Sequence, residues 1–397
     1  MRILAALTYY RPHYSGLTIY AERLGRALAE RGHHIAVLTS RYDPNLPGRE
    51  ALDGLEIIRL KVRLRISKGV IMPSIPYWAI QLARQADVVH LHLPQLDAAL
   101  LAVLARILGK PVVLTYHCDL RLPSGFIHSI ANQVSHLANH ISAITASVIV
   151  TNTLDYAQNS SFLRRYLAKV RVILPPVELA PVTVADLQAF RRKAGIEPGQ
   201  RIIGMAARLA AEKGVEYLVL ALPLVLHKHP TARVIFVGQY QDVFGEQEYA
   251  RHLAPLIQGL GEHWTFLGVL PPTEFAAFFH TAEVTVLPSI NSTESFGIVQ
   301  VESMTCGTPV VTSNLPGVRQ PVQMSRMGEI VPERDPEALA QAIISILDRP
   351  GEYQGNWQAI AHRFSPQAVA AEYEALFEEL LHLEVLREVS QERIRDA

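Results

Sequence analysis

Cysteines and long apolar runs are both scarce in this chain. Its 397 residues include only two cysteines, Cys118 and Cys306, which are too few for a disulfide framework. No paired-cysteine or Cys/His cluster predicts a metal centre, so the sequence favours a reducing compartment. The opening apolar run ends at Leu7, too early for a signal peptide, and no stretch reaches the ~18 apolar residues of a membrane span. We therefore expect a cytoplasmic protein.

A net charge of either sign is also absent. Lys and Arg together number 37, and so do Asp and Glu, so the formal net charge is zero. No overall electrostatic field attracts this protein to nucleic acid, and an anionic partner must meet local basic groups. We expect no nucleic-acid partner.

Apolar residues, in contrast, are abundant. They make up 49% of the chain against 19% charged residues, the composition of an α/β protein with a large core. Short apolar runs alternate with stretches of helical periodicity, which is typical of parallel, doubly wound sheets. The predicted strands of the first half are 3–7, 35–38, 88–93, 112–116, 148–151 and 170–174, and its first helix is 17–31.

The alternation restarts after a polar stretch that contains proline and glycine. The predicted strands of the second half are 202–206, 234–237, 264–267, 284–287 and 310–313. We predict two doubly wound, Rossmann-like domains, residues 1–178 and 179–364, that face each other across a cleft. The last helix, within 365–397, begins at Ser365-Pro366, and we expect it to pack toward the first domain.

Two glutamates, Glu294 and Glu302, lie eight positions apart with a predicted helix start between them. The candidate N-caps of this helix carry hydroxyl groups: Ser292, Thr293 and Ser295. Helix N-termini bind anions, because their first amides lack intrahelical partners and the helix dipole is positive there. Carboxylates on both sides of such a site suit a ligand with hydroxyls on both sides of its phosphates. For an isolated pair of this spacing, two solvated surface charges would be the better interpretation.

Two cations and a glycine follow predicted strands. Arg208 and Lys213 come after the first strand of the second half, where a guanidinium and an ammonium suit a diphosphate. Gly16 precedes the first helix, where a glycine lets the backbone approach a phosphate closely. Each residue alone is also compatible with an ordinary loop.

Three histidines belong to predicted strands or their ends. His117 follows strand 112–116, where it could bind a substrate hydroxyl or transfer a proton. His90 and His92 alternate within strand 88–93, in the core or lining the cleft. The chain has 16 histidines, so a structural role is the simpler reading of any one of them.

Together these residues resemble the retaining glycosyltransferases of family four, the group 1 type, which have the GT-B fold. The resemblance covers nearly the whole chain. Its motifs are Gly16 with the following helix, 30–33, 87–90, 115–117, 204–208, 213–214, 236–238, 288–289 and 302–310. The most specific feature is the order of Arg208 and Lys213 followed by Glu294 and Glu302.

The resemblance implies that the second domain holds a nucleotide-diphosphate sugar. Glu302 would bind the ribose hydroxyls, Glu294 the transferred sugar, and Arg208 with Lys213 the diphosphate. The other donor contacts would come from backbone amides at Phe296, Gly297 and Ile298, from 268–270 (Gly268 to Leu270) around the base, from His117 facing the sugar and from Gly16 near the phosphates.

The implied reaction moves a hexose from a UDP- or GDP-linked sugar to a hydroxyl of a lipid, lipid-linked or polysaccharide acceptor, with retention at the anomeric carbon. The implied catalytic residues are His117, Glu294, Arg208 and Lys213, since cations stabilise the charge that the leaving diphosphate gains. The sequence contains no Asp-x-Asp, so we predict catalysis without a metal or a cofactor. Two alternatives are a sugar-nucleotide epimerase of the same architecture and a catalytically silent nucleotide-sugar-binding protein.

A basic segment in the first domain suggests a docking surface. Arg59, Lys61, Arg63 and Arg65 alternate with apolar residues, and Lys68 follows. As an extended strand, this segment would present one basic and one apolar face. We hypothesise peripheral contact with an anionic inner membrane surface; the alternative is an edge strand with a solvated basic face.

Overall fold

The computed structural model describes residues 1–66, 69–119 and 126–395, and the chain divides into two compact units. The first unit contains Met1–Pro176 and the chain from Ser365 onward, and the second contains Val177–Phe364. The sequence predicted the first boundary after residue 178; the structure has it between Pro176 and Val177. The final helix belongs to the first unit.

The first unit is built on an eight-stranded sheet whose neighbours are parallel with one exception. Its strands are β1 (Arg2–Ala6), β2 (His34–Arg41), β3 (Arg49–Leu52), β4 (Leu55–Lys61), β7 (Val88–Leu93), β8 (Val112–Tyr116), β9 (Val148–Thr151) and β10 (Val170–Val172). The order is β10-β9-β8-β7-β1-β2-β4-β3, and only β3 runs antiparallel to its neighbour. A separate hairpin contains β5 (Leu64–Ile66) and β6 (Gly69–Ile71). The central strands are continuous apolar runs because helices cover both faces of the sheet.

The helices of this unit include the last one in the chain. They are α1 (Gly16–Glu30), α2 (Ile75–Gln85), α3 (Ala98–Ile107), α4 (Phe126–Thr145), α5 (Leu154–Asn159) and, in chain order, α14 (Pro366–Arg395). Ser365 caps α14, since its Oγ accepts a hydrogen bond from the Ala368 amide at 3.2 Å. The apolar face of α14 packs on α1, and the hydroxyls of Tyr20 and Tyr373 lie 2.9 Å apart.

The basic segment around Arg59 does not form the predicted two-faced strand. β4 lies inside the sheet, because β3 pairs with it and forms the edge. The Arg59 side chain is 1% exposed, forms an ion pair with Glu50 and donates to the Arg11 carbonyl oxygen. The prediction that Arg59 contacts a membrane is therefore wrong, because its guanidinium is buried and already paired.

The rest of the basic segment is exposed. Lys61, Arg63 and Arg65 are accessible, but so is Leu64 between them, at 52%. Basic and apolar side chains of this segment are thus both accessible to solvent. Lys68 lies outside the described residues. Contact of Lys61, Arg63 and Arg65 with an anionic surface stays a prediction.

The second unit is a six-stranded, fully parallel sheet with helices on both faces. Its strands are β11 (Arg201–Ala206), β12 (Ala232–Val237), β13 (Trp264–Gly268), β14 (Val284–Leu287), β15 (Val310–Ser313) and β16 (Gly328–Val331). Its helices are α6 (Val184–Lys193), α7 (Val215–Lys228), α8 (Gln247–Gly259), α9 (Pro272–Thr281), α10 (Ile298–Thr305), α11 (Gln320–Ser325), α12 (Pro336–Asp348) and α13 (Trp357–Arg363). The predicted α/β class with two doubly wound sheets is confirmed.

The strand order of the second unit locates its ligand-binding edge. The order β13-β12-β11-β14-β15-β16 reverses between β11 and β14. In open α/β sheets, ligands bind at the carboxyl ends of the strands beside such a reversal. The loops after β11 and β14 are therefore the first place to look for a site. Within the described ranges, no helix has the length and hydropathy needed to cross a membrane.

Candidate active site

The loops after β11 and β14 are fastened to each other. The two strands are neighbours, with Ile203 opposite Val284. Gly214, in the first loop, has a φ of +64°, and a Cβ there would lie 2.0 Å from the Pro288 carbonyl oxygen. The Ile290 amide also donates to the Glu212 carbonyl oxygen at 3.1 Å. Only glycine permits this close approach, which brings Lys213 beside the loop that follows β14.

Lys213 and Glu294 meet at this junction. Lys213 Nζ lies 2.5 Å from Glu294 Oε2, and the other carboxylate oxygen accepts a hydrogen bond from the Gly297 amide at 3.1 Å. The two side chains are 21% and 16% exposed, so water reaches the pair only partly. The structure thus joins two residues that lie 81 positions apart in the sequence.

The helix after Glu294 begins without a capping side chain. Its N-cap is Gly297, with a φ of +77° and no side-chain hydrogen bond to the first turn. A Cβ at this position would lie 2.4 Å from Leu287, so glycine is required by space as well as by conformation. The predicted N-caps are wrong: Ser292, Thr293 and Ser295 all precede the turn that starts α10. A helix start without a side-chain cap, next to Lys213, is suited to bind an anionic group.

Glu302 lies on α10 and is only 5% exposed. Its charge is close to Cys306: burial first and the Glu302 carboxylate second raise the pKa of the Cys306 thiol to about 12. The thiol is therefore protonated and unreactive at neutral pH. A carboxylate buried to this extent is not the solvated surface charge of the alternative interpretation.

Arg208 lies at the same edge of the sheet, but it does not take part in the ion pair of Lys213 and Glu294. Its guanidinium is 44% exposed and lies 2.8 Å from Glu212, four residues later. Phe296 is 1% exposed, and its ring lies 5.9 Å from that of Phe364. The Phe296 side chain therefore belongs to the core, and contact of its backbone amide with a donor stays a prediction.

An aromatic side chain that the sequence did not predict, Tyr240, lies beside the loop after β13. Gly268 has a φ of +71°, and its carbonyl oxygen accepts a hydrogen bond from the Gly238 amide at 2.8 Å. Tyr240 stacks on Phe266 with ring centroids 4.4 Å apart and also lies next to Gly268. Leu270 is half-buried. The sequence signal that could have identified Tyr240 is its position, because Tyr240 follows the end of β12 just as Arg208 follows the end of β11.

In the first unit, His117 follows β8 and contacts His92 of the neighbouring strand β7. His92 Nδ1 and His117 Nε2 are 3.0 Å apart, and the Tyr20 ring meets His117 edge-on with centroids 4.8 Å apart. Burial lowers the pKa of His92 to about 3, and burial together with His92 lowers the pKa of His117 well below its usual value. Both rings are therefore neutral at pH 7, so His117 can exchange hydrogen bonds with a hydroxyl but carries no charge.

The Tyr20 ring that contacts His117 is held by the last helix. The Tyr373 hydroxyl of α14 lies 2.9 Å from Tyr20 and 2.7 Å from Thr115, and Thr115 lies 2.7 Å from His90 Nε2. His90 is thus a satisfied core histidine, whereas His92 supports His117. The sequence alone did not decide whether His90 and His92 lie in the core or line the cleft.

Gly16 is the exposed first residue of α1. A Cβ at this position would meet no atom within 4 Å, and its φ is ordinary. The packing of the first unit therefore does not require glycine here. No group of three or more His, Cys, Asp or Glu side chains in the described part of the chain is placed to hold a metal ion.

Two family models match the chain, one in each unit. Residues 186–364 match the model described as glycosyl transferases group 1, and residues 15–176 match a glycosyl transferase 4-like domain.

Three curated relatives match along most of their length. A D-inositol 3-phosphate glycosyltransferase of Acidothermus cellulolyticus is 30% identical over 365 residues, which are 85% of this chain and 78% of the relative. A glycogen synthase of Mycobacterium tuberculosis is 28% identical, with 92% of this chain and 90% of the relative covered. An uncharacterised glycosyltransferase of Methanocaldococcus jannaschii is 26% identical, covering 87% and 89% of the two chains.

Solved structures share the fold. Sucrose-phosphate synthase from Thermosynechococcus elongatus superposes with a TM-score of 0.76 at 22% identity, over 96% of this chain and 99% of the other. HepE from Anabaena in complex with UDP-glucose superposes with a TM-score of 0.75 at 20% identity, over 96% and 100%. This chain therefore belongs to the group 1 glycosyltransferases and has their GT-B fold.

Proposed function

We propose that this glycosyltransferase moves a hexose from a UDP- or GDP-linked sugar to a hydroxyl acceptor, with retention of anomeric configuration and without a metal. The observation that carries the proposal is the ion pair of Lys213 and Glu294 beside the start of α10, 2.5 Å between the charged atoms. It puts a cation, a carboxylate and a helix N-terminus at one point of the strand-order reversal.

Each group has a defined task in this proposal. The donor diphosphate binds at the start of α10 and replaces Glu294 as the partner of Lys213. Glu294, released from Lys213, then accepts hydrogen bonds from hydroxyls of the sugar. Arg208, with its exposed guanidinium, binds the diphosphate, and Glu302 binds the ribose. Both cations stabilise the negative charge that the diphosphate gains as the glycosidic bond breaks.

The comparisons support a nucleotide-sugar donor, since HepE was solved with UDP and with UDP-glucose. The names of the relatives include D-inositol 3-phosphate in one case and glycogen in another, so we propose the acceptor only by class, as a hydroxyl of a lipid, lipid-linked or polysaccharide molecule.

Thermal stability in the presence of ligands tests the donor site. A ligand at 100 times its Kd stabilises the protein by about 2.7 kcal/mol, which is readily measured. We expect a shift in Tm with UDP or GDP and a larger one with the matching nucleotide sugar. Glu302→Gln should lose the shift caused by the nucleotide alone. Glu294→Gln should lose only the additional shift caused by the sugar.

Glu274→Gln is the matched control, since Glu274 also pairs with a lysine, Lys193, elsewhere in the second unit. It should respond like the wild type. If no nucleoside diphosphate or nucleotide sugar shifts Tm at millimolar concentration, the donor assignment is wrong.

The reaction type is tested with the donor that binds. NMR of the product should show the same anomeric configuration as the donor, and EDTA should leave the rate unchanged. Activity lost in EDTA and restored by magnesium or manganese would refute metal independence. Conversion of the donor sugar to its epimer without an acceptor would favour the epimerase alternative. Ligand binding without any turnover would favour the catalytically silent binding protein.

A further inference from the structure

Two neighbouring helices of the first unit present apolar side chains to solvent. We name the outer surface of α3 and α4 the α3–α4 face. Its residues and their exposed fractions are Leu100 (37%), Ile107 (74%), Val134 (50%), Leu137 (62%), Ile141 (37%) and Ile144 (67%). The spacing within each helix, three, four or seven residues, places them along one side of that helix.

The opposite sides of both helices are buried in one core. Ala98, Leu101 and Ala105 of α3 and Ala143 of α4 belong to the same hydrophobic cluster, and the two helices pack against each other. The outer sides therefore point away from the same face of the sheet. Single exposed apolar residues are ordinary, but a set shared by two adjacent helices marks an interaction surface.

The charge of this region is unlike that of the whole chain. α3 and α4 have 10 and 20 residues, and Arg106 is the one Asp, Glu, Lys or Arg among them. Arg106 is paired with Glu384 of α14 at 2.7 Å and adds no net charge to the face. Two cations border α4: Arg165 lies 3.2 Å from His140, and Lys169 donates to the Ile144 carbonyl oxygen at 2.6 Å. Arg164 is exposed beside them. An apolar face with a basic border is thus present on a protein of zero net charge.

We propose that the α3–α4 face docks this enzyme on the surface of an anionic lipid bilayer, with the helices lying in the plane of the interface. Apolar side chains enter the boundary between headgroups and acyl chains, while basic residues attract anionic headgroups. A second copy of the chain would bring basic borders of like charge together, whereas an anionic lipid surface complements them. The proposal does not depend on which donor or acceptor the enzyme uses.

Flotation with vesicles tests the proposal. We expect the full-length wild type to float with vesicles of phosphatidylcholine that contain phosphatidylglycerol, and to bind much less to pure phosphatidylcholine. Leu137→Glu/Ile144→Glu should lower the affinity for the anionic vesicles at least about tenfold, because two side chains that leave water on binding become charged. Added salt should weaken the binding of the wild type.

The matched control is Leu220→Glu/Leu224→Glu. These leucines are 48% and 45% exposed on α7 of the second unit, and the substitution changes the net charge by the same amount. The control should float like the wild type. Circular dichroism and Tm establish that both double variants are folded.

Four outcomes would overturn the proposal. The first is no flotation of the wild type with anionic vesicles, and the second is unchanged flotation of the Leu137→Glu/Ile144→Glu variant. The third is an equal loss of flotation in the Leu220→Glu/Leu224→Glu control. The fourth is loss of flotation in a Lys61→Glu/Arg63→Glu variant while the Leu137→Glu/Ile144→Glu variant still floats. The last would assign docking to the basic segment instead. A wild-type dimer in light scattering that the Leu137/Ile144 variant converts to a monomer, without vesicle binding, would assign the face to self-association.

Discussion

Removing the Lys213 ammonium should separate catalysis from stability. In Lys213→Ala, Glu294 keeps its hydrogen bond from the Gly297 amide, 3.1 Å in the wild type, but loses its ion-pair partner. The pair is partly exposed, 21% and 16%, and ion pairs near the surface contribute about 0–1 kcal/mol to stability. We therefore expect Tm to fall by less than about 4 °C.

The effect on turnover should be much larger. A preorganised cation that meets developing charge contributes about 2.7–4 kcal/mol to the barrier, a factor of about 10² to 10³ in kcat. The assay is steady-state consumption of the nucleotide sugar by the variant and the wild type, at saturating donor. Lys213→Arg, which keeps the charge but changes its geometry, should recover part of the rate.

Lys193→Ala is the control for this experiment. Lys193 lies 2.6 Å from Glu274 in the same unit, in a pair that is 51% and 32% exposed. Its loss should change neither kcat nor Tm measurably. If Lys213→Ala turns over within about threefold of the wild type, Lys213 does not stabilise the leaving diphosphate, and the proposed mechanism loses its main cation.

Two glycines and two histidines give further predictions. Gly214→Ala should lower the stability by more than about 1–2 kcal/mol and therefore lower Tm, because its Cβ would lie 2.0 Å from the Pro288 carbonyl oxygen. Gly16→Ala should keep its Tm, because a Cβ there would meet no atom within 4 Å. Equal Tm values for the two variants would contradict this contrast. The pKa values of His90 and His92 are lower in the folded protein than in the unfolded chain, so the unfolded chain binds more protons than the folded protein below about pH 6.5. The contribution of these histidines to stability should therefore be constant above about pH 7 and fall as the pH drops from about 6.5 to 5. Each buried histidine contributes up to about 1.4 kcal/mol per pH unit, so urea unfolding of His92→Asn should show a shallower slope than the wild type, and a flat wild-type profile would refute the argument.

Most of the strands were predictable, because parallel strands buried on both faces are continuous apolar runs, whereas their order in the sheets was not predicted. β3 was not predicted as a strand, since its four residues alternate between intermediate and exposed positions. Asp53 and Gly54, with φ of +51° and +81°, form the turn that pairs β3 with β4, and an Asp-Gly turn is a strong hairpin signal. That signal predicts the pairing of β3 with β4, and the pairing of β4 with β2 on its other side places β4 inside the sheet.

At the candidate site, the sequence indicated side chains that the structure brings together, but it did not predict how they contact one another. Sequence order indicated Lys213 and Glu294 but not their contact, which depends on the adjacency of β11 and β14. The helix start was misjudged because hydroxyl residues are the usual N-caps, whereas here space beside Leu287 requires Gly297. The support of His117 by His92 is a contact between strands, which spacing along one strand does not reveal.

The return of the chain to the first unit has a consequence for biosynthesis. The Val177 amide donates to the Phe364 carbonyl oxygen at 2.7 Å, so the second unit begins and ends at one point, like a domain inserted into a host. A ribosome completes this insert before it makes α14. The core around Tyr20 and Leu24 on α1 must wait for Tyr373 and Phe377, which come from the last helix. The part of the protein that is translated first is therefore the last to finish folding.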